Sequence, residues 1–390
     1  MKDRLFSQSI LFPKELSKPR FDFINDLTKL DCFSIVKTTD DLKIFENSRL
    51  KKWMTANKNF IVFGTGGSSL CGQCAQAISA SKNVKFVANL DPTTLKKVFS
   101  EINPTETGFL CISKSGETLE TICQTLLALD FVEKKDDKFV VITEDKPSSL
   151  KEIAQKFNFL CLDHPKTIGG RFSAFSIVGA LPAALCGVDP FAMRTGGKKV
   201  LENFLEEVKN GASFVFESYK NKLPQHVSFI YSDKLATFGA WLAQLYAESS
   251  GKDGAGVTPL TAIGSVDQHS QLQLYLDGAK DKCFTFFFEK QESGLTLNDN
   301  FPSKFLYLKN KEITDVFKAQ CDATIAALLE KGNYVRKIET PPVTPEVLGA
   351  LFMHFTLEVA CVCKAIGVDP FDQPAVERGK ILTKELLSAC

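Results

Sequence analysis

Two short stretches combine glycines and small hydroxyls in a way that suits an anion. Gly64-Thr65-Gly66-Gly67-Ser68-Ser69 follows the apolar run Phe60 to Phe63 and precedes a helical stretch running through Ala75 to Ile78. Glycines there let backbone N–H groups approach a ligand, and a helix start adds partial positive charge. A structural turn and a dinucleotide fingerprint are the competing readings. The spacing departs from the second, because Ser69 stands where Gly-x-Gly-x-x-Gly requires its last glycine. Ser113-Lys114-Ser115-Gly116-Glu117-Thr118 sits likewise between an apolar run, Phe109 to Ile112, and a helical stretch, Leu119 to Leu129. Its hydroxyls and ammonium match the oxygens of a phosphate, each of which accepts several hydrogen bonds. Helix capping is the plainer use, but capping needs one hydroxyl rather than three.

Ile112 to Thr118 resembles the phosphosugar loop of sugar isomerase (SIS) domains. Further segments are similar to the glucose-6-phosphate isomerase (phosphoglucose isomerase) family: Gly169-Gly170-Arg171-Phe172-Ser173, Glu248-Ser249-Ser250-Gly251-Lys252, Asp267-Gln268-His269-Ser270, Phe371-Asp372-Gln373-Pro374 and Glu377-Arg378-Gly379-Lys380. Their order along the chain makes coincidence a poor explanation. The resemblance implies cofactor-free, reversible isomerisation of glucose 6-phosphate to fructose 6-phosphate, a step of glycolysis and gluconeogenesis. Ser113, Ser115 and Thr118 would hold the phosphate with Lys114 alongside, and Gly67 and Ser68 would line the sugar. Arg171, Glu248, His269 and Lys380 would be catalytic, supported by Gln244 and Gln373.

Each implied role has a chemical reason. Moving a carbonyl from C1 to C2 needs ring opening, removal of the C2 proton and its return to C1 through an enediol(ate), hence a base, an acid and a positive stabiliser. Glu248 suits the base that shuttles the proton. Arg171 keeps its charge and therefore stabilises the developing enediolate oxygens instead of acting as the acid. His269 suits protonation of the ring oxygen, since imidazole is the side chain that ordinarily titrates near neutrality, and Lys380 would share that work. Family relatives form homodimers in which the equivalent of His269 reaches the neighbouring subunit's site, so a homodimer is expected here. Cys71 stands where the family's first loop has glycine, Ala375 replaces the glycine after Gln-Pro, and the chain is shorter than many relatives.

Other readings remain open at this point. A non-catalytic sugar-phosphate sensor would keep the Ser113 to Thr118 loop but have no need of Glu248 with His269. Another SIS enzyme, acting on an amidosugar or on mannose 6-phosphate, is the second. Lys2 rather than a nucleophilic cysteine follows Met1, so an ammonia-using synthase is not expected. A metal could also stabilise an enediolate, but Cys71-x-x-Cys74 and Cys361-x-Cys363 lack the second pair or histidine spacing of a zinc site. No metal is expected.

These residues need a scaffold, and from Asn59 onward the chain repeats an apolar run, a Gly/Ser turn and a helical stretch, the pattern of a parallel sheet with crossover helices. The runs Phe60 to Phe63, Val84 to Val87, Phe109 to Ile112, Phe139 to Ile142 and Phe159 to Leu162 read as strands buried on both faces. Val227 to Tyr231 and Cys283 to Phe288 begin a second series, with helices over Phe172 to Leu185, Val200 to Tyr219 and Thr344 to Ile366. The expected fold is α/β: two doubly wound parallel-sheet SIS domains flanked by helices, with a C-terminal helical segment. Residues 1–50 are expected to form a helical extension packed outside the first domain. SIS domains over 51–190 and 191–340 and a C-terminal helix with a catalytic tail over 341–390 complete the division.

The bulk properties narrow the class. The chain has 390 residues, 44% of them hydrophobic and 24% charged, enough for two packed cores. A net charge of +1 leaves no general field for nucleic acid or an anionic membrane, so any anion is held locally. The cysteines lie inside apolar segments, as small buried thiols of a reducing compartment do. The charged N-terminus, broken by Pro13, lacks the apolar core of a secretory signal. The apolar stretch Phe172 to Met193 is interrupted by polar residues well short of the roughly 18 needed to span a bilayer. A cytoplasmic location is expected.

Overall fold

The apolar runs become strands because each can be covered on both faces, and the resulting sheets frame one continuous core. In the computed structural model, residues 5–16, 21–133, 136–292, 294–298 and 301–389 are described. The described residues form ten strands: β1 (Ser7–Phe12), β2 (Asn59–Phe63), β3 (Val84–Val87), β4 (Thr107–Ile112), β5 (Phe139–Thr143), β6 (Leu160–Asp163), β7 (Gln225–Tyr231), β8 (Thr258–Ile263), β9 (Lys282–Glu289) and β10 (Tyr334–Thr340). The first sheet has the order β3-β2-β4-β5-β6 and is parallel throughout. The second has the order β1-β10-β9-β7-β8 and is parallel except for β1. The doubly wound α/β expectation therefore holds for both sheets.

The N-terminal expectation needs correction. Ser7–Phe12 is not a helix outside the first domain but an edge strand of the second sheet, antiparallel to β10 with Ser7 opposite Glu339. Short helices do follow, at Ile24–Leu27 and Asp31–Ser34.

Eight helices matter for the site: α1 (Gly67–Ile78), α2 (Leu119–Phe131), α3 (Ile177–Leu185), α4 (Pro190–Asn203), α5 (Leu205–Lys220), α6 (Ala236–Ser250), α7 (Pro345–Ile366) and α8 (Glu377–Ser388). The stretch expected to be helical from Phe172 begins only at Ile177, leaving Arg171 in a short 3-10 turn. The one expected over Val200 to Tyr219 is two helices joined at Phe204.

The outer face of the first sheet carries a ladder of rings, Phe63, Phe109, Phe139 and Phe159, with successive centroids 5.7, 5.1 and 4.5 Å apart. The inner faces of both sheets share a core in which Val62, Leu110, Trp241, Phe287 and Phe352 take part. Helix α7 runs through it. Its start is set by Pro345 and by the Thr344 hydroxyl accepting from Val347 N–H, and its end by Gly367 in the left-handed conformation, φ 85°. Burying each of its Leu, Val and Phe side chains contributes about 1.5–3 kcal/mol. Among the described residues α7 alone is long and apolar enough to cross a membrane, and it is buried inside the protein. The cysteines of the described residues are free thiols.

Candidate active site

Both Gly/Ser loops leave the C-terminal ends of neighbouring strands, β2 and β4. The first sheet's strand order reverses between these two strands, and the crevice at such a reversal is where open α/β sheets bind ligands.

The first loop is shaped by close backbone approaches. Gly66 has φ 54°, and a Cβ there would lie 2.5 Å from the Gln244 amide nitrogen. Gly67 opens α1, and a Cβ on it would lie 2.1 Å from the Gly170 carbonyl oxygen. This loop is thus pressed between α6, which carries Gln244, and the Gly170–Phe172 turn, which carries Arg171. Ser68 is half-buried within the same turn of α1.

The second loop keeps its hydroxyls together. Ser113 Oγ lies 2.8 Å from Thr118 Oγ1 and accepts from Gly116 N–H at 3.1 Å. Ser115 Oγ accepts from Glu117 N–H at 3.1 Å. Thr118 occupies the cap position of α2 yet makes no side-chain cap bond, so the hydroxyl cluster is not consumed by capping. Gly116, φ 71°, brings the loop against Ser148, whose Oγ would lie 2.1 Å from an added Cβ. Lys114 Nζ donates to Lys166 O at 3.0 Å and lies 3.5 Å from Glu144. The Glu117 carboxylate turns away to accept from Ser149 N–H and Oγ, at 2.7 and 2.8 Å.

Arg171 is the centre of the arrangement, its side chain 2% exposed. Its Nε donates to Ser249 Oγ at 2.8 Å, and one terminal nitrogen reaches Glu248 Oε2 at 3.3 Å and Gln373 Oε1 at 2.6 Å. The other donates to the Pro370 carbonyl and, at 3.0 Å, to that of Asp372. Burial pulls Arg171 down from its ordinary value, while Glu248 acts in the opposite direction. Gln244 sits one helical turn before Glu248 on α6 and donates to Glu248 Oε1 at 2.8 Å. The half-exposed Glu248 carboxylate is therefore aimed from both oxygens.

The expected residues divide into two sets. Gly67, Arg171, Gln244, Glu248 and Gln373 are in mutual contact or one contact apart, and Ser68, Ser113, Lys114, Ser115 and Thr118 occupy the adjoining loops. His269 lies elsewhere, exposed at the end of a short turn after β8, with no hydrogen bond from its ring among the described residues. That turn is fixed by Asp267, which accepts from Ile263 N–H at 2.7 Å and from Ser270 Oγ at 2.6 Å. Lys380 is exposed on α8 and pairs with Glu377 at 2.6 Å. Within one chain neither meets Arg171 or Glu248.

Four residues to which the sequence reading gave no role contribute here. Ser249 Oγ accepts a hydrogen bond from the Arg171 Nε–H. Lys252 ties down the strap that also serves Arg171, pairing with Asp372 at 2.8 Å and donating to Asp369 O. The Pro370 and Asp372 carbonyls had no side-chain signal at all. The first two lie in the same short segment as Glu248, and that proximity was the available clue.

Comparison with known proteins identifies the family. The family model described as phosphoglucose isomerase matches residues 40–293. A glucose-6-phosphate isomerase of Campylobacter jejuni is 34% identical over 352 residues, covering 85% of this chain and 86% of the relative. One of Rubrobacter xylanophilus is 32% identical over 351 residues, covering 83% and 81%. The crystal structure of a hypothetical protein from Thermus thermophilus superposes with a TM-score of 0.84 at 30% identity, covering 92% of this chain and 90% of that one. With a family model over more than half its length and relatives of this identity over most of it, the chain belongs to the phosphoglucose isomerase family.

Proposed function

We propose that this protein interconverts glucose 6-phosphate and fructose 6-phosphate through ring opening and an enediol(ate), with Glu248 carrying the proton between C2 and C1. The supporting observation is the Glu248 carboxylate itself, bracketed by Gln244 and by a buried Arg171 beside the Gly66–Gly67 loop. A carboxylate held at both oxygens is oriented for proton transfer without a search through rotamers.

In this reading the phosphate rests on Ser113, Ser115 and Thr118 with Lys114 alongside, and Gly67 and Ser68 line the sugar. Glu248 removes the C2 proton as the C1 carbonyl becomes an enediolate oxygen. Arg171 stabilises that negative charge. The same carboxyl returns the proton to C1 and the carbonyl re-forms at C2. The reaction is an internal exchange of a hydrogen and an electron pair, so no external oxidant is required. His269 and Lys380 serve ring opening, His269 arriving from a second copy in a homodimer, and Gln373 supports Arg171. The activity belongs to glycolysis and gluconeogenesis, in the cytoplasm.

Glu248→Gln tests the assignment. The amide keeps its size but accepts no proton, so turnover of glucose 6-phosphate is expected to fall about 10³-fold while phosphosugar binding persists. Near-wild-type turnover would remove Glu248 from the role. A wild-type protein that binds the sugar phosphate without producing fructose 6-phosphate in a coupled assay would make it a sensor instead.

A further inference from the structure

The face of α6 turned away from the site carries a second polar device. Tyr246, two residues from Glu248, is buried, and its hydroxyl donates to Glu358 Oε1 on α7 at 2.5 Å. Glu358 in turn takes two hydrogen bonds from Arg336 on β10, both 2.7 Å, and both side chains are 0% exposed. Arg336 also donates to Thr285 Oγ1 on β9 at 2.7 Å and to Gln8 Oε1 on β1 at 3.2 Å. Thr285 Oγ1 lies 2.6 Å from His226 Nε2 on β7, and His354 Nε2 lies 3.2 Å from Glu358. Burial alone would push the Glu358 carboxyl up, but Arg336 holds it well below the usual carboxylate range.

A charged network in a phenylalanine-rich core is an expensive way to add stability, since apolar residues of similar volume often do as well. What it adds is direction. The apolar part of the buried face of α6, Phe238, Trp241, Leu242 and Leu245, makes contacts that define distance but not axial position, while on the site side Ser249 is tied to Arg171. The Tyr246 hydroxyl is a directional contact to a carboxylate that is itself clamped to the central strands. Ser250 finishes the same turn, donating to Tyr246 O at 2.7 Å and accepting from Val257 N–H at 2.9 Å.

We propose that Tyr246, held through Glu358 to Arg336, is a positioning residue that fixes where the last turns of α6 present Glu248 to the sugar. This rests on the assignment of Glu248 as the base. A displacement of about 1 Å at a reacting group can remove on the order of 10²-fold in rate. A phenylalanine leaves the ring packing intact, so a smaller loss is expected from it.

Tyr246→Phe should lower kcat about 5- to 20-fold with KM for glucose 6-phosphate within about twofold of wild type. Glu358→Asp keeps a charge for Arg336 but withdraws the carboxylate from Tyr246, and should give the same split if the phenylalanine variant folds poorly. The decisive measurement is a double-mutant cycle with Glu248→Gln, assayed at high enzyme concentration. With the base already removed, Tyr246→Phe should cost no further turnover beyond about twofold. An unchanged kcat with only a lowered Tm, or the same fold-loss in both backgrounds, would overturn the inference while leaving Glu248 in place. A Glu248→Gln variant with near-wild-type turnover would remove both.

Discussion

Arg171 has five N–H protons and five acceptors for them: Ser249, Glu248, Gln373, and the Pro370 and Asp372 carbonyls. A guanidinium so fully engaged is rigid, and a substrate oxygen can reach it only by taking the place of a side chain facing the site, Glu248 or Gln373. The loop proposed to hold the phosphate is the opposite case, because its hydroxyls are clustered but lightly engaged. Replacing Ser115 and Thr118 together by Ala removes two of the proposed phosphate donors and leaves Arg171 and Glu248 untouched. Steady-state kinetics should show kcat/KM for glucose 6-phosphate falling about 10²- to 10⁴-fold, mostly through a raised KM with a smaller fall in kcat, at about 1.5–3 kcal/mol per hydrogen bond to a charged group. A loss confined to kcat would place the phosphate elsewhere. Residue types alone could nominate these loops as an anion site, because glycines and several hydroxyls between a strand and a helix start suit an anion, even with a structural turn, a dinucleotide site and capping as competing uses. They could not choose among the four histidines. The structure separates them: His164 and His226 are buried and drawn down by that burial to about 4 and about 3, and His354 is inside α7. His269 alone is exposed, and it was the family resemblance, not its spacing, that singled it out.

At the scale of elements, legibility followed burial. The strands of the first sheet were readable because helices cover both faces and the runs are mostly apolar, Lys85 in β3 being an exception, so β2, β3 and β5 match their expected spans to within one residue at either end. Strand β10 was not, because it carries Arg336, Lys337 and Glu339, and a buried arginine there becomes acceptable only through the carboxylate of Glu358 on the next helix, α7, with Thr285 and Gln8 taking further bonds. Strand β1 was hidden for a similar reason: Ser7–Phe12 is short and finds its partner about 330 residues away, a pairing that no local pattern encodes. The join between α1 and the Arg171 turn is an element-scale feature with a sharp test. Gly67→Ala places a methyl 2.1 Å from the Gly170 carbonyl oxygen, where backbone and not a flexible side chain must yield. The variant should lose about 1–3 kcal/mol of stability by overpacking, seen as a lower Tm, and activity should fall more than the Tm alone explains because Arg171 moves with Gly170. Wild-type kinetics in a folded Gly67→Ala protein would show that the two loops are not coupled.

The whole molecule raises a question that one chain cannot answer by itself. The reaction proposed here needs Glu248 and His269 at one sugar, yet His269 is exposed on the turn after β8, and α8, which carries Lys380, has no buried residue. Ile381, Leu382, Leu386 and Leu387 on α8 are 40–70% exposed. A twelve-residue helix is marginal without packing, and an apolar stripe of this kind is usually covered by something. The proposed homodimer would account for both observations, a second copy covering α8 and bringing His269 to the neighbouring site. Complementation distinguishes this from a site completed within one chain. Glu248→Gln and His269→Ala subunits, each impaired alone, are mixed, dissociated and reassociated. In a hybrid dimer with exchanged histidines, the subunit that retains Glu248 receives His269 from its partner, and the other site lacks both groups. Half the dimers are hybrids and each has one complete site out of two, so activity should return to about a quarter of wild type. If His269 served its own chain, every site in the mixture would still lack one group, and mixing would restore nothing.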